Sequence, residues 1–291
     1  MLTRLDHVQI AVRDLEAATE RYARLLGRHP AWRAESPSMG ARNSVFRLRN
    51  GSIQLIAPAG EGPLGHFAQR RLDADGEGPL ALTFETEDLE ACAKSLAERA
   101  IRAGDPVDGF EIEAHSGRKR RWRALPIASR SARGIRVFAV QNLDGRVRDS
   151  ERSVPAPSCV SGIDHIVIQT RDADASIDVY GGGLGIRLAL DRSFDARNVR
   201  LVFFRLAGIT IELAAPLDRP PDPEGGESAD RLWGLAFQVN DVRATHARLA
   251  ADPELDVTGV RRGNKPGTQV FSVRSGTCGV PTLLIGPEDE G

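Results

Sequence analysis

The sequence predicts an α+β protein of two similar domains in tandem, each built from two βαβββ modules whose strands curl around an open cavity. Three observations predict this fold: the length of 291 residues, a repeat of the first half of the chain in the second half, and a weaker repeat inside each half. The length favours two domains, because domains average roughly 150 residues. The repeats place the openings of four modules near residues 5, 80, 163 and 232.

The stronger repeat relates segment 5–14 to segment 163–172. Both contain an Asp-His pair, Asp6-His7 and Asp164-His165, and the two histidines lie 158 residues apart. The same spacing aligns residues 53–58 with residues 211–216. A register kept over such a distance indicates a duplicated structural unit. The weaker repeat starts inside each half, where residues 84–91 of the first half resemble residues 237–244 of the second.

Each module begins with alternating apolar residues, the pattern of a half-buried strand. In the first module, Asp14 precedes apolar residues at helical spacing, which predicts an N-cap and an amphipathic helix. Gly27, like its counterpart Gly185, predicts the helix end. Two strand-like runs follow, joined by a turn at Asn50-Gly51. The order is therefore strand, helix and three strands, and a single bent sheet leaves an apolar face that a second module should cover.

Composition predicts the domain limits. The segment 146–161 contains Ser, Pro and Asp but no periodic apolar pattern, which predicts a linker. It separates an N-terminal domain, residues 1–145, from a C-terminal domain, residues 162–291. The four modules are expected at residues 5–60, 79–142, 163–217 and 231–287.

Charge and cysteine content limit the classes of binding partner and the cellular compartment that we expect for this protein. With 39 Lys and Arg against 40 Asp and Glu, the net charge of −1 gives no attraction to nucleic acid or to an anionic membrane. The three cysteines are far apart and form no CxxC pair, which favours a reducing compartment over a disulfide framework. No apolar run has the length of a signal or membrane segment. We expect a cytoplasmic protein with a small-molecule ligand, with a homodimer as an open alternative.

Four short motifs make this chain resemble a known protein family. They are Leu-Asp-His-Val at 5–8, Arg-Asp-Leu-Glu-Ala at 13–17, Leu-Leu-Gly at 25–27 and Ile-Glu-Leu at 211–213. With them the chain resembles the vicinal oxygen chelate superfamily, which includes glyoxalase I, methylmalonyl-CoA epimerase, extradiol dioxygenases and bleomycin-resistance binding proteins. The runs 121–126 and 136–141 make the first half similar to the glyoxalase-3-like branch. The resemblance implies two tandem glyoxalase-like domains, on a scaffold that supports many reactions.

The resemblance also implies a metal site. In the family, a divalent metal is held by side chains from the first and last strands of two paired modules. The matching positions are His7, Gln54, Ala81, Gln141, His165, Glu212, Gly234 and Leu283. Only His7, Gln54, His165 and Glu212 are implied as metal ligands, for Mn, Ni, Zn, Fe or Mg, with Glu212 also implied as the catalytic residue. No organic cofactor is expected.

The pairing of the modules decides which ligands meet. Pairing in chain order gives the C-terminal cavity His165 and Glu212. It gives the N-terminal cavity His7, with Gln54 and Gln141 as weak neutral ligands. Pairing of the first module with the third would bring all four implied metal ligands together, through a less local connection. An extradiol dioxygenase is disfavoured, because Gly234 and Leu283 stand where two of its three ligands would be. The alternative reading is that each His only forms hydrogen bonds in a polar pocket.

Four further residues are predicted to contact substrate. Trp233 would form a cavity wall, Arg205 would bind a carboxylate, and Gln141 and Arg123 would act in the N-terminal pocket. Trp233 and Arg205 fit packing and surface positions equally well. The basic run 118–123 suits nucleic acid by composition, but strand alternation would separate its arginines from its tryptophan, so no nucleic-acid partner is expected.

Two functions follow from these residues. The first is a metal-dependent lyase or isomerase that acts on a small oxygenated substrate through His165 and Glu212. The second is a metal-free protein that sequesters a small molecule, as the bleomycin-resistance relatives do. A third possibility is that one domain, the N-terminal one, is purely structural.

Overall fold

The computed structural model describes residues 1–145, 156–219 and 229–288. Most of the predicted linker, residues 146–155, lies outside the described residues. Each described domain contains one sheet of eight strands. Among the described residues, no helix combines the length and apolar character needed to cross a membrane.

The N-terminal domain contains strand, helix and three strands twice, as predicted. The helix α2 between the two modules was not predicted from the sequence. In chain order the elements are β1 (Arg4–Ala11), α1 (Leu15–Leu26), β2 (Trp32–Ser36), β3 (Ala41–Leu48), β4 (Gly51–Pro58), α2 (Pro63–Asp75), β5 (Gly78–Glu85), α3 (Leu89–Glu98), β6 (Val107–Glu113), β7 (Lys119–Ile127) and β8 (Val137–Asn142).

The C-terminal domain has the same order without a counterpart of α2 among its described residues. Its elements are β9 (Val160–Gln169), α4 (Ala173–Ile177), β10 (Arg187–Phe194), β11 (Val199–Leu206), β12 (Ile209–Pro216), β13 (Arg231–Val239), α5 (Val242–Ala250), β14 (Arg261–Arg262), β15 (Thr268–Val273) and β16 (Thr282–Pro287). The four predicted modules are therefore present.

Modules pair in chain order. The first strands of modules one and two, β1 and β5, are antiparallel neighbours, and so are β9 and β13 of modules three and four. Each first strand also lies parallel to the last strand of its own module, as β1 does to β4. The pairing of module one with module three is therefore wrong. Sequential modules form one sheet because they are neighbours in the chain, so their connection is local.

The two sheets differ at their edges. In the N-terminal domain β2 pairs with β6, with Ala34 opposite Glu113 and Glu35 opposite Ile112, and the sheet closes into a barrel. In the C-terminal domain the order β10-β11-β12-β9-β13-β16-β15-β14 stays open. Its edge strand β14 has two residues whereas β6 has seven, and no pairing joins β10 to β14 among the described residues. The open cavity predicted for both domains is thus present in the C-terminal one.

Local signals explain the helices. The Asp14 carboxylate accepts hydrogen bonds from the backbone N–H groups of Glu16 at 3.0 Å and Ala17 at 3.1 Å, and Gly27 ends α1 at a φ of 69°. Gly185 also takes a positive φ, of 72°. The helix of module three is nevertheless short, because α4 passes into a π-helical turn at residues 178–183 that contains three consecutive glycines. Glycine disfavours a regular α-helix, and π-helical turns are rare.

The hairpin between β3 and β4 joins the two domains. Its turn residues are Arg49 and Asn50, whereas Gly51 already belongs to β4, where a Cβ would lie 2.9 Å from a methyl carbon of Leu5. The Asn50 amide donates to the carbonyls of Ile163 at 2.7 Å and Gly208 at 2.8 Å, and its oxygen accepts from the Ile163 N–H at 2.9 Å. The predicted turn is therefore shifted by one residue and serves as a domain contact.

One continuous core holds the domains together. Leu25 and Phe46 of the N-terminal domain belong to the same cluster of buried apolar residues as Ile163 and Phe204 of the C-terminal domain. Burial of apolar area is the main stabilising contribution to folding. The two sheets therefore fold against a shared core.

Candidate active site

His165 and Glu212 lie on neighbouring parallel strands, β9 and β12. In the pairing of these strands, Thr210 lies opposite His165 and Glu212 lies opposite Val167. Side chains two residues apart on a strand share a face, so His165 and Glu212 point to the same side of the sheet. Their atoms Nε2 and Oε2 are 3.8 Å apart, and both side chains are 16% exposed. The structure thus brings together the two residues that the sequence analysis singled out in the C-terminal domain.

Asp164 orients His165. Its Oδ1 lies 2.8 Å from Nδ1 of His165, and its Oδ2 accepts a hydrogen bond from the Gln238 amide at 3.0 Å. Burial alone would raise the pKa of Asp164, but the hydrogen bonds from His165 and Gln238 hold that pKa below its ordinary value. An ionised Asp164 favours a proton on Nδ1, which leaves the Nε2 lone pair directed toward Glu212.

The carboxyl group of Glu212 has a raised pKa. Burial raises its pKa above the ordinary value, His165 opposes this rise, and Asp164 adds to it. A raised pKa brings a carboxyl group closer to the pH at which proton removal and proton return are both efficient. Glu212 is therefore suited to act as a general acid or base.

His165 and Glu212 line an open cavity of about 1840 Å³, which we call the C-terminal cup. Trp233 and Arg205 both line it, together with apolar residues such as Leu190 and Phe203. Its cationic side chains outnumber its anionic ones; they are Arg21, Arg192, Arg197, Arg205, Arg261, Lys265 and Arg274, against Glu77, Asp164, Glu212 and Glu254. The lining of the cavity therefore carries an excess of positive charge. Arg21 and Glu77 belong to the N-terminal domain, which thus forms part of the wall.

A divalent ion at this site would find two protein ligands. A separation of 3.8 Å allows Nε2 of His165 and Oε2 of Glu212 to bind one ion at roughly 2.0–2.2 Å each. Over the described ranges, no group of three or more His, Cys, Asp or Glu side chains is placed to hold an ion. Gly234 and Leu283 supply no donor from module four. His165 and Glu212 therefore fit a weakly held divalent ion. The remaining coordination positions of that ion would be open to water and substrate.

His7 and Gln54 lie in the other domain, inside the N-terminal barrel. The Gln9 amide donates to Oε1 of Gln54 at 3.1 Å, and Nδ1 of His7 lies 2.6 Å from Asp6. The same interior contains Glu111, a buried residue that the sequence analysis did not identify. Burial raises the pKa of Glu111, while Arg120 and His7, which face it, act in the opposite direction. Only strand alternation along β6 could have indicated Glu111, because no motif surrounds it.

Arg123 and Gln141 point away from the barrel interior. Arg123 pairs with Glu90 of α3 at 2.6 Å and with Asp108 at 3.1 Å, and Gln141 donates to the Glu87 carbonyl at 2.9 Å. Both side chains therefore lie on the helix-covered side of the sheet. A register error of one residue exchanges the two faces of a strand, and on β8 it is Asn142 that points inward. The structure does not bring Arg123 and Gln141 to either cavity.

Comparison with solved structures shows the same fold. A variant of 4-hydroxymandelate synthase from Streptomyces coelicolor superposes with a TM-score of 0.68 at 16% sequence identity. The match covers 100% of this chain and 94% of that one. The likeness therefore extends over both domains.

Curated proteins of higher identity are epimerases. The ethylmalonyl-CoA/methylmalonyl-CoA epimerase of Cereibacter sphaeroides is 34% identical over 113 residues, which cover 38% of this chain and 82% of that protein. The mitochondrial methylmalonyl-CoA epimerase of Homo sapiens is 30% identical over 103 residues. This match covers 35% of this chain and 57% of the human protein.

Family comparisons cover both halves of the chain. The glyoxalase-like domain family matches residues 5–180, and the glyoxalase/bleomycin resistance protein/dioxygenase superfamily matches residues 164–271. Together with the four βαβββ modules, these matches establish the relationship. The chain belongs to the glyoxalase-like domain family of the vicinal oxygen chelate superfamily.

Proposed function

We propose that the C-terminal cup is the active site of an isomerase that moves a proton at the carbon next to a carbonyl group. One observation carries the proposal: the carboxyl group of Glu212, buried and raised in pKa, lies 3.8 Å from His165 in an open cavity. Ionised Glu212 would remove the proton and become neutral, a change that its burial favours. Delivery of a proton from water in the open cavity to the opposite face of the planar enolate completes the reaction, and Glu212 then releases its proton to solvent.

The proposed substrate is an acyl-CoA thioester that carries a carboxylate. The relative in Cereibacter sphaeroides is named for ethylmalonyl-CoA and methylmalonyl-CoA. A cavity of about 1840 Å³ exceeds the roughly 300–1,000 Å³ of a typical small-ligand pocket, and its excess of cationic side chains suits phosphates and carboxylates. Both properties favour a large anionic substrate.

Arg205 is proposed to bind the substrate carboxylate. On β11 it lies opposite Thr210, and Thr210 lies opposite His165. Adjacent strands are about 4.8 Å apart, so the Arg205 side chain starts two strands away from His165 and is long enough to reach a substrate held there. Trp233 would form the apolar wall of the same cavity.

A divalent ion such as Mn, Ni, Zn, Fe or Mg, held by His165 and Glu212, would supply polarisation of the substrate carbonyl. The residues themselves supply orientation and proton transfer. Asp164 fixes the imidazole of His165, and the partial burial of Glu212 raises the pKa of its carboxyl group.

Conversion of one epimer of methylmalonyl-CoA into the other, followed by chiral chromatography, tests the proposal. We expect the wild-type protein to convert the epimer both without added metal and with added Mn, Ni, Zn, Fe or Mg. Glu212→Gln should reduce kcat by at least about a hundredfold, the scale of general acid–base catalysis. Glu254→Gln, a change in another cavity-lining glutamate, should retain activity. Equal activities of these two variants would contradict the role of Glu212.

A metal-free binding protein is the second candidate. The observation that favours it is the donor set, because Gly234 and Leu283 leave His165 and Glu212 as the two side-chain ligands of the cup. Calorimetric binding of methylmalonyl-CoA without any conversion, in the presence of each metal, would support this candidate over the isomerase.

A further inference from the structure

A chain of hydrogen bonds connects the N-terminal domain to His165 of the C-terminal cup. The guanidinium of Arg49, in the turn between β3 and β4, donates to Oε1 of Gln238 on β13. The amide nitrogen of Gln238 donates to Oδ2 of Asp164 at 3.0 Å, and Oδ1 of Asp164 lies 2.8 Å from Nδ1 of His165. The arginine at the far end of this chain therefore comes from the other domain.

Hydrogen bonds to the beginning of β9 hold Arg49 in this position. Its backbone N–H donates to the carbonyl of Ser161 at 3.1 Å, and the Ser161 hydroxyl donates to the carbonyl of Gln238 at 3.1 Å. The next residue, Asn50, forms hydrogen bonds with the N–H and the carbonyl of Ile163. The turn is thus fixed against the C-terminal domain, with the guanidinium within reach of Gln238.

Arg49 determines which end of the Gln238 amide faces Asp164. A guanidinium group has only donors, whereas a primary amide has donors on its nitrogen and acceptors on its oxygen. Because Oε1 of Gln238 is held by Arg49, the amide presents its N–H groups to Asp164. In the reverse orientation the amide oxygen would face an ionised carboxylate, and the two acceptors would repel each other. The guanidinium therefore keeps Gln238 as a donor to Asp164.

The N-terminal barrel contains the same order of groups, built from different positions. Arg120 donates to Oδ1 of Asn142 at 3.0 Å, and the Asn142 amide donates to Oδ2 of Asp6 at 3.1 Å. The other oxygen of Asp6 lies 2.6 Å from Nδ1 of His7. Asn142 is on β8, the last strand of its module, whereas Gln238 is on β13, the first strand of its module. Because these two amides do not correspond in the repeat, the common order of guanidinium, amide, carboxylate and imidazole indicates that it serves the histidine.

We propose that Arg49 is a positioning residue for His165 and acts on it across the domain boundary. The hydrogen-bond chain holds the imidazole with its proton on Nδ1 and its Nε2 lone pair toward Glu212. A proton on Nε2 would instead face the Glu212 carboxylate and occupy the oxygen that is proposed to take the substrate proton. Arg49 is not among the described residues that line the C-terminal cup, so it acts on His165 and not on substrate binding.

Nuclear magnetic resonance of the full-length protein, isotope-labelled at its histidine nitrogens, measures the tautomer of His165 without substrate. The spectra are recorded with a chelator present, at a pH that keeps the imidazole neutral, and the His165 signals are assigned by their loss in His165→Asn. We expect protonated Nδ1 in the wild-type protein. In Arg49→Met the two nitrogen resonances should move toward each other, because the Nε2–H tautomer becomes populated. Arg49→Lys, which keeps a donor, should restore the wild-type spectrum.

Matched variants separate this role from a general effect of losing an arginine. Arg42→Met, a change in an exposed arginine of β3, should leave the tautomer of His165 unchanged. If Arg49→Met does not fold, Gln238→Met breaks the same chain and gives the same comparison. A wild-type tautomer in the folded Arg49→Met protein would overturn the proposal, as would an equal shift in Arg42→Met.

The effect on kcat rests on the proposed isomerase function, whereas the tautomer is a property of the free protein. Arg49→Met should lower kcat for methylmalonyl-CoA by about tenfold, the lower end of the loss seen when a supporting partner is removed, with KM unchanged. A shifted tautomer in a protein that converts no methylmalonyl-CoA would support the role of Arg49 and contradict the isomerase alone. Turnover that Arg49→Met leaves at the wild-type kcat would overturn the role of Arg49 in catalysis.

Discussion

At the scale of single residues, the environment of Glu212 sets the pH dependence of the proposed reaction. The ordinary pKa of a glutamate is 4.5, and burial raises the pKa of Glu212 above it in the folded protein. Because the ionised form removes the proton, kcat/KM measured without added metal should fall as pH decreases through this raised pKa. The effect should be visible as an acid limb above the range of an exposed glutamate.

Neighbouring charges should move this acid limb in opposite directions. Asp164→Asn removes a negative neighbour that raises the pKa of Glu212, so the limb should move to lower pH. His165→Asn removes a neighbour that lowers this pKa, so the limb should move to higher pH. A pH profile of kcat/KM for each variant measures both shifts. Identical midpoints in both variants would show that another group controls the limb.

Residues of the site were predictable to different degrees. His165 and Glu212 stand in a repeated motif, so the sequence identified them. Glu111 lies on a strand without a motif, and its neighbours Arg120 and His7 come from other strands. Arg123 and Gln141 were expected in the N-terminal pocket, but a shift of one residue in strand register is enough to turn a side chain to the opposite face.

At the scale of elements, the β3–β4 hairpin connects the N-terminal domain to the C-terminal domain, because its residue Asn50 forms three hydrogen bonds with the C-terminal domain. Asn50→Ala should lower the free energy of unfolding by about 2 kcal/mol, since it leaves the backbone groups of Ile163 without these partners. Urea denaturation measures the change. Asn264→Ala, in an exposed turn, should change stability by less than about 0.5 kcal/mol. Equal effects of the two substitutions would contradict the role of Asn50.

Elements with local signals were predictable, whereas sheet closure was not. Asp14 and Gly27 mark the two ends of α1 in the sequence, and the structure has the helix there. Closure of the N-terminal barrel depends on β2 meeting β6, two strands far apart in the chain. The second domain shows that the same module order can leave a sheet open.

At the scale of the whole molecule, the shared core and the shared cavity wall make the two domains one unit. We expect a single cooperative unfolding transition in calorimetry, with equal calorimetric and van't Hoff enthalpies, because the buried cluster contains residues of both domains. Leu25→Ala, in the N-terminal helix α1, should lower the temperature of that single transition. Two resolved transitions, with Leu25→Ala shifting one of them, would show that the domains unfold separately.

The central claim is that Glu212 exchanges a proton with the carbon next to the substrate carbonyl. Incorporation of solvent deuterium at that carbon tests it most directly, with methylmalonyl-CoA incubated in D₂O and analysed by mass spectrometry. We expect the wild-type protein and Glu254→Gln to add one deuterium per molecule, and Glu212→Gln to add it at least about a hundredfold more slowly. Incorporation by Glu212→Gln at the wild-type rate would contradict the account.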